Sequence, residues 1–510
     1  MSVATTRAVA LLGLDGVLVD IEADLGAGLP AFVLIGLPDA SLGESRDRVR
    51  SAATNSGLAL PARKLTVNLS PASLPKHGAS FDLGIAVAAL AAAGLVPRES
   101  VARVVHVGEL GLDGRLRPVD GVLPAVRGAQ RAGAEIVMVP SADLDEARLV
   151  PGVRVVGVPS LREAALWHGA QLDPVPTEPV RRTRPAPPAP PAVDLGDVIG
   201  NEQAVEALVV AAAGGHHLLM VGPPGAGKSM LAARLPGLLP DLRVEEALEV
   251  ASVRSLCGVP VGGELDLRPP FEAPHHTCSA AALVGGGSGV LRPGAASRAS
   301  SGVLFLDEAP EFATTVLDCL RQPLEAGETV VHRSRAVARF PARFQLVAAA
   351  NPCPCGQYGA GDVECTCTPV QRRRYLGKLS GPLVDRIDLQ IRVSRIATAQ
   401  FRGARDEGSA TSTAGARARV EAARARAASR LAGTGWARTS EVGGTWLRSG
   451  AGRLPPAATA SVDRALETGQ LTMRGYDRVL RVAWTVADLE GADRPDAGHV
   501  RRALSLRRSL

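Results

Sequence analysis

The residues best suited to chemistry form one short run: Gly222-Pro223-Pro224-Gly225-Ala226-Gly227-Lys228-Ser229. An apolar strand candidate, Leu218 to Val221, precedes it and a helical stretch, Met230 to Leu235, follows. That is the G-x-x-x-x-G-K-[ST] phosphate loop in the strand-loop-helix setting it requires. Glycines let the backbone curl so that its N–H groups and the helix N-terminus face phosphate oxygens. Lys228 would then reach the β- and γ-phosphates of ATP, and Ser229 would offer its hydroxyl to Mg²⁺. Lysine is scarce here: Lys64, Lys76, Lys228 and Lys378 are the only four among 57 basic residues. A chain so inclined to arginine keeps lysine where a thin, flexible ammonium is needed; for Lys64 and Lys378, chance survival is an equal reading.

Further along, Gly302-Val303-Leu304-Phe305-Leu306 ends in Asp307-Glu308. Carboxylates at the carboxyl end of a buried parallel strand lie where such sheets bind ligands. Asp307 is expected to orient Mg²⁺, and Glu308 to polarise the attacking water as general base. Taken alone, a strand followed by two acids is often only a strand exit; paired with the phosphate loop, it reads as the second half of a nucleotide site. A third apolar run, Phe344 to Ala350, ends in Asn351, an amide suited to hold water beside the γ-phosphate. In Ser380 to Asp388, Arg386 is either an arginine finger supplied to a neighbouring subunit or a partner of Asp385 or Asp388.

Positioning these groups takes more than one domain. A chain of 510 residues exceeds what one core usually serves. Residues 1–170 mix short β-like runs (Gly16 to Ala23, Ala31 to Ile35, Leu65 to Leu69, Val104 to Val107, Ile136 to Val139) with helical stretches (Ser41 to Ser56, Phe81 to Ala93), as in an α/β or α+β domain. Residues 171–193 are rich in Pro and Arg and read as a stiff linker. Over 194–395, helices alternate with short apolar strands, the pattern of an α/β parallel sheet covered by helices on both faces. Residues 396–510 read as a helical domain with a Gly/Ser/Thr-rich lead-in, Gly403 to Gly415. The apolar run Leu83 to Val96 is too short to span a bilayer and is broken by Gly84 and Gly94, so a cytoplasmic protein without membrane contact is expected.

Seven cysteines do not make a disulfide framework in a chain of this size. Four of them, Cys353, Cys355, Cys365 and Cys367, form two close pairs able to hold a tetrahedral structural Zn²⁺. Buried free thiols or a redox pair are the alternatives. A metal there would staple a loop with little core of its own and steady neighbouring Asn351.

The net charge of +6 and pI near 9.1 permit nucleic acid without demanding it. Glu325 to Phe340 alternates like a hairpin with a basic tip, where His332, Arg333 and Arg335 could touch DNA phosphates or merely face water. Leu283 to Gly289 is a second loop candidate, and Arg417, Arg419, Arg424, Arg426 and Arg430 lie on one helix as a contact or a solvated face. Aromatics are 3%, so base stacking is not the main source of affinity. His275 and His276 read as structural or nucleotide-state contacts.

The order of phosphate loop, Asp307-Glu308, Asn351-Pro352-Cys353-Pro354-Cys355-Gly356 and the Ser380 to Leu389 segment resembles the YifB/ComM family of magnesium-chelatase-like AAA+ ATPases. Pro274-His275-His276-Thr277, Arg292-Pro293-Gly294 and Gly356 to Tyr375 match too, and the likeness spans nearly the whole chain. The resemblance implies an ATP-driven ring, usually hexameric, with a helical lid; the family's competence member is a DNA branch-migration helicase. It also implies a sensor arginine in Thr472 to Arg478, with Arg474 first and Arg478 second, and a pore position for the basic hairpin. Ser229 stands where Thr is commoner and Ala309 where Leu is, neither change removing a catalytic group.

The same resemblance gives residues 1–170 the ribosomal-S5-domain-2-like fold shared with Lon proteases. Ser80 falls near the Lon nucleophile, yet Leu123 stands where that dyad needs lysine. Without a base, Ser80 stays a weak nucleophile, so a scaffold is expected rather than a peptidase; Lys76 could replace the base or contact phosphate. Two motor readings remain: DNA translocation or branch migration in recombination of imported DNA, and chelatase-type remodelling of a protein partner.

Overall fold

The computed structural model describes residues 3–36, 40–182, 193–287, 291–333, 336–359, 365–395 and 411–508. Its N-terminal portion is built on a seven-stranded mixed sheet. The strands are β1 (Ala4–Leu12), β2 (Asp15–Gly26), β3 (Ala31–Ile35), β4 (Lys64–Ser70), β5 (Val104–His106), β8 (Ile136–Pro140) and β9 (Arg154–Val158); β6 (Glu109–Leu110) and β7 (Leu116–Arg117) form a separate small ladder. The order is β3-β4-β2-β1-β5-β8-β9, antiparallel at β4-β2-β1 and parallel elsewhere. The helix Asp82–Ala92 is buried on every side. It packs on β1 and β2, which explains an apolar run too short for a membrane: a helix apolar all round is a core helix. Ser41 to Ser56 divides into two helices, Ala40–Gly43 and Ser45–Asn55.

Polar groups inside this domain are chained together. Thr6 Oγ1 meets His106 Nδ1 at 2.9 Å, His106 Nε2 meets His168 Nε2 at 2.9 Å, and His168 Nδ1 meets Ser100 Oγ at 2.9 Å. One proton between the two facing ring nitrogens satisfies both, whereas charging both rings would set two N–H groups against each other. Burial accordingly holds His168 down to about 4 and His106 well below its usual value.

The second sheet is all parallel: β11 (Phe271–Glu272), β12 (Val303–Leu306), β15 (Gln345–Ala350), β10 (Leu218–Val221) and β16 (Leu389–Arg392), side by side in that order. Strand residues alternate between two cores. Leu218, Met220, Val303, Phe305, Val347 and Ala349 join the helices Glu202–Gly214 and Lys228–Leu238. Leu219, Val221, Leu304, Leu306, Leu346 and Ala348 join the opposite layer with Ala295, Leu317 and Leu383. Both faces are covered, so these strands read as unbroken apolar runs. Among the described residues beyond Arg395 every regular element is helical, and Thr413–Arg430 and Met473–Glu490 pack on Glu202–Gly214 within the first core.

The arginines of Thr413–Arg430 are neither free nor merely solvated. Arg417 reaches Asp241, Arg419 reaches Glu206, Arg424 donates to Ala212 O, and Arg430 pairs with the Asp488 carboxylate. Three of these contacts tie the helix to the parallel-sheet domain, and the fourth ties it to Met473–Glu490.

The two halves meet along Val122–Arg131 and Val244–Leu256, where Arg127 reaches Glu245 and Ser252. The hairpin of β13 (Glu328–Arg333) and β14 (Ala336–Pro341) buries Ala338 and Phe340 against Leu11, Leu14 and Leu256, so its base rests on the N-terminal domain. From the linker, Arg182 pairs with Asp143 at 2.9 Å and donates to Val119 O.

A histidine whose pKa is lowered on folding leaves the unfolded chain to take up protons first as pH falls. Stability from the neutral His106–His168 pair is therefore complete above about pH 6.5 and is lost progressively toward the His168 value of about 4. The buried Asp143 carboxyl, raised to about 6 by desolvation against the pull of Arg182, acts in the opposite sense. The diagnostic is thus a difference between proteins: the thermal midpoint of wild type should fall more steeply than that of His168→Asn from pH 6.5 to 4, and parallel curves would remove the assignment.

Candidate nucleotide-binding site

Three neighbouring strands deliver the site at their carboxyl ends. β10 runs into the glycine loop, β12 into Asp307-Glu308, and β15, lying between them, into Asn351. Gly227 caps the helix Lys228–Leu238 with φ +89, a left-handed conformation that aims the following N–H groups into the loop and that side-chain-bearing residues rarely adopt.

Lys228 is 8% exposed, and its ammonium is held by oxygens alone: Gly222 O at 2.6 Å, Pro223 O at 3.0 Å and Asn351 Oδ1 at 3.2 Å. Burial lowers its pKa, with Asp307 and Glu308 opposing. Ser229 Oγ donates to Asp307 Oδ2 at 2.7 Å, so the two groups read as magnesium ligands already face each other. One hydroxyl from the first turn of a helix and one carboxylate from a strand end suit Mg²⁺, which takes few protein oxygens and keeps the rest for phosphate and water.

Glu308 is half-exposed and adopts φ +49, a left-handed backbone that costs a non-glycine residue about 1–3 kcal/mol. Its Oε2 lies 3.4 Å from His276 Nδ1. The neighbouring ring of His275 lies tilted against His276 with centroids 4.1 Å apart, and His275 Nδ1 meets Thr277 Oγ1. Of the two sequence readings, a nucleotide-state contact fits His276, because its partner is the general-base candidate.

Arg386 and Arg474 lie elsewhere. β16 is parallel to β10 and begins at Leu389 opposite Leu218, so Arg386 sits at the amino edge of the sheet, about 13 Å of strand from the phosphate loop at about 3.3 Å per residue. It pairs with Glu325, not with Asp385 or Asp388 as the local sequence suggested. Asp388 is taken by Arg478 at 2.6 Å and His216 at 3.3 Å. Burial alone would push that carboxyl up, but Arg478 and His216 outweigh it and hold it well below the carboxylate range. Arg478, the second choice for a sensor, is engaged by Asp388 in this structure. Arg386 and Arg474 line one cavity of about 740 Å³ with Arg243, Arg438 and Arg481, and no residue from Gly222 to Ser229 borders it. These partners, remote in sequence, carried no local signal.

His332 is exposed near the tip of β13, and Arg333 ends that strand; Arg335 lies outside the described residues. Of the second loop candidate, Leu283 is buried and Gly286 bridges Arg292, while Ser288 and Gly289 lie outside the described residues. Lys76 is fully buried and donates to Gly36 O and Pro71 O rather than to Ser80, so it is neither a replacement base nor a surface phosphate contact. The four clustered cysteines are all unbridged, with sulfurs within 4.8 Å of one another.

A phosphate loop, paired acids and a polar strand end on a parallel sheet, with helices on both faces and a helical lid, define an AAA+ ATPase. Comparison with known proteins narrows the class. Residues 194–401 match the family described as magnesium chelatase, subunit ChlI; 21–143 match subunit ChlI of Mg-chelatase; and 410–507 match its C-terminal region. The chain is 49% identical to an uncharacterised protein of Mycobacterium tuberculosis over 100% of its length and 99% of the relative's. It is 40% identical to competence protein ComM of Haemophilus influenzae (99% and 98% covered) and 39% identical to YifB of Escherichia coli (99% and 97%). The chain belongs to the YifB/ComM family of magnesium-chelatase-like AAA+ ATPases.

Three outcomes follow from this geometry. Lys228→Ala should weaken ATP binding about 10- to 100-fold, the worth of a charge-assisted contact, whereas Glu308→Gln should bind ATP normally and lose about 10²–10⁴ in turnover; fluorescent-nucleotide titration and phosphate release separate them. His276→Ala frees Glu308 from a half-exposed contact worth at most about 1 kcal/mol, so basal kcat should rise about two- to fivefold with KM unchanged. An unaltered kcat would leave His276 without a role at the general base.

Proposed function

We propose that this protein is an ATP-driven motor that moves along or remodels DNA as a ring of identical subunits, six in number. Its reaction is hydrolysis of ATP to ADP and phosphate, and its work is DNA translocation or branch migration during recombination of imported DNA in the cytoplasm. The observation that carries the ring is the separation of Arg386 and Arg474 from their own phosphate loop. Charge-neutralising arginines on the opposite edge of the sheet can serve only a neighbour's nucleotide. Near full-length likeness to a competence protein supports the DNA reading, as does a hairpin whose first strand ends in His332 and Arg333 and whose base rests on the N-terminal domain.

In each subunit, backbone N–H groups of Gly222 to Ser229 and the Lys228 ammonium bind the phosphates, while Ser229 and Asp307 hold the magnesium ion. Bound Mg²⁺ supplies Lewis acidity that neutralises phosphate charge. Glu308 takes the proton of the attacking water, Asn351 Nδ2 and Oδ1 orient that water, and a neighbour's Arg386 and Arg474 stabilise the charge of the departing phosphate. The domains are 1–170, of the S5-domain-2-like type and acting as scaffold for the ring, a linker at 171–193, the ATPase core at 194–395 with a four-cysteine zinc insertion, and the lid at 396–510. No described helix is long and apolar enough to cross a membrane.

A second reading, a motor that remodels a protein partner, draws on a 28% match to the magnesium-chelatase 38 kDa subunit of Cereibacter sphaeroides, which covers 30% of this chain and 51% of that protein. Purified protein should hydrolyse ATP faster with forked or Holliday-type DNA and should unwind that substrate, with Glu308→Gln inactive in both assays. Hydrolysis indifferent to DNA, with no strand displaced, would transfer the assignment to the second reading.

A further inference from the structure

We propose that Cys353, Cys355, Cys365 and Cys367 bind one Zn²⁺ that braces the phosphate loop, so that metal occupancy sets the affinity for nucleotide. This rests on the reading of Gly222 to Ser229 as the ATP site.

The spacing of the sulfurs is that of a metal site. Cys353 Sγ lies 3.3 Å from Cys355 Sγ and 3.7 Å from Cys365 Sγ, and Cys355 Sγ lies 3.6 Å from Cys365 Sγ. A disulfide would bring two sulfurs to about 2.0 Å. Four thiolates about 2.3 Å from a tetrahedral zinc ion stand about 3.8 Å apart, close to what is found. Four sulfur ligands with no open position suit a structural Zn²⁺ and leave no place for a catalytic water.

The position of the cluster makes it more than a local staple. Cys353 follows Asn351 by two residues, and Asn351 Oδ1 accepts a hydrogen bond from Lys228. On the other side, a Cβ added at Gly356 would fall 2.7 Å from Pro224 Cδ, so the backbone between the first cysteine pair and Gly356 rests directly on the phosphate loop. The loop closes on itself where the Arg372 guanidinium lies 4.0 Å over the Tyr358 ring. Few other contacts could keep it there: Pro354, Cys355, Tyr358 and Gly359 are exposed, and only Pro352, Cys353 and Gly356 in that stretch are buried. With the ion in place, the chain from Asn351 to Gly356 is held on Pro224 and Lys228; without it, four thiols exert no comparable pull, and both contacts loosen.

The test uses the full chain, purified with its metal. Metal analysis should find one zinc per chain, and Co²⁺ exchanged into the site should show the visible absorption of four-thiolate tetrahedral cobalt. Stripping with an organomercurial and chelator, then restoring the thiols with dithiothreitol, should raise the Kd for fluorescent ATP about tenfold, the worth of one charge-assisted hydrogen bond. Zn²⁺ should restore it and Mg²⁺ alone should not. Cys365→Ser/Cys367→Ser should reproduce the stripped protein, and reversal by Zn²⁺ in wild type separates the effect from misfolding. Zinc-free protein with normal nucleotide affinity would overturn the metal site. Stoichiometric zinc whose removal leaves Kd unchanged would overturn the brace. Zinc-loaded protein that takes up no nucleotide would overturn the reading of the phosphate loop, and the coupling with it.

Discussion

The ammonium of Lys228, enclosed by the carbonyls of Gly222 and Pro223 and the amide of Asn351, is the interaction on which the rest of the site depends. A buried cation must be surrounded by oxygens or lose its charge, and the oxygens here come from two neighbouring strand ends. The cage offsets the burial that lowers the pKa of Lys228. It also ties the phosphate loop to the polar end of β15, so anything that moves Asn351 is felt at the loop.

The same economy of placement holds for the acids. Asp307 leaves a buried strand and meets Ser229 across the sheet edge, while Glu308, one residue on, takes a strained backbone and turns to His276. Adjacent carboxylates thus acquire different duties from different partners. The family accounts for the presence of these groups, whereas the pairing with His276 describes a site at rest.

At the amino edge of the sheet the chemistry changes sign. Arg386, Arg474 and their neighbours gather around a cavity where Asp388 is consumed by Arg478 and His216 and Glu325 is consumed by Arg386. The Arg474 guanidinium has no carboxylate partner among the described residues. The cavity also takes in Glu246, Asp385 and Glu441, so the arginines there stand among acids on the side of the sheet away from Gly222 to Ser229. On the same domain, Arg417, Arg419 and Arg424 of Thr413–Arg430 tie the C-terminal helices to Asp241, Glu206 and Ala212.

Much of this was legible in the sequence because the signals are local. Leu218–Val221 and Val303–Leu306 are apolar at every position, as strands covered on both faces must be, and the loop and acids follow them directly. The fold-defining alternation, the four cysteines and Asn351 were visible for the same reason. Strands β1 and β9 escaped, since their half-buried patterns lack a clean alternation, and two-residue β11 exists only through pairing with β12. What tertiary structure alone decided were partnerships across long stretches of chain. Arg386 chose Glu325 over nearer acids, Glu308 met His276, the Arg-rich helix gripped the core, and Lys76 was buried under carbonyls. Residue type and spacing specify which groups a local backbone can present; which of them meet is set by the packing of elements far apart in sequence, where distance and desolvation, not proximity along the chain, select the partner.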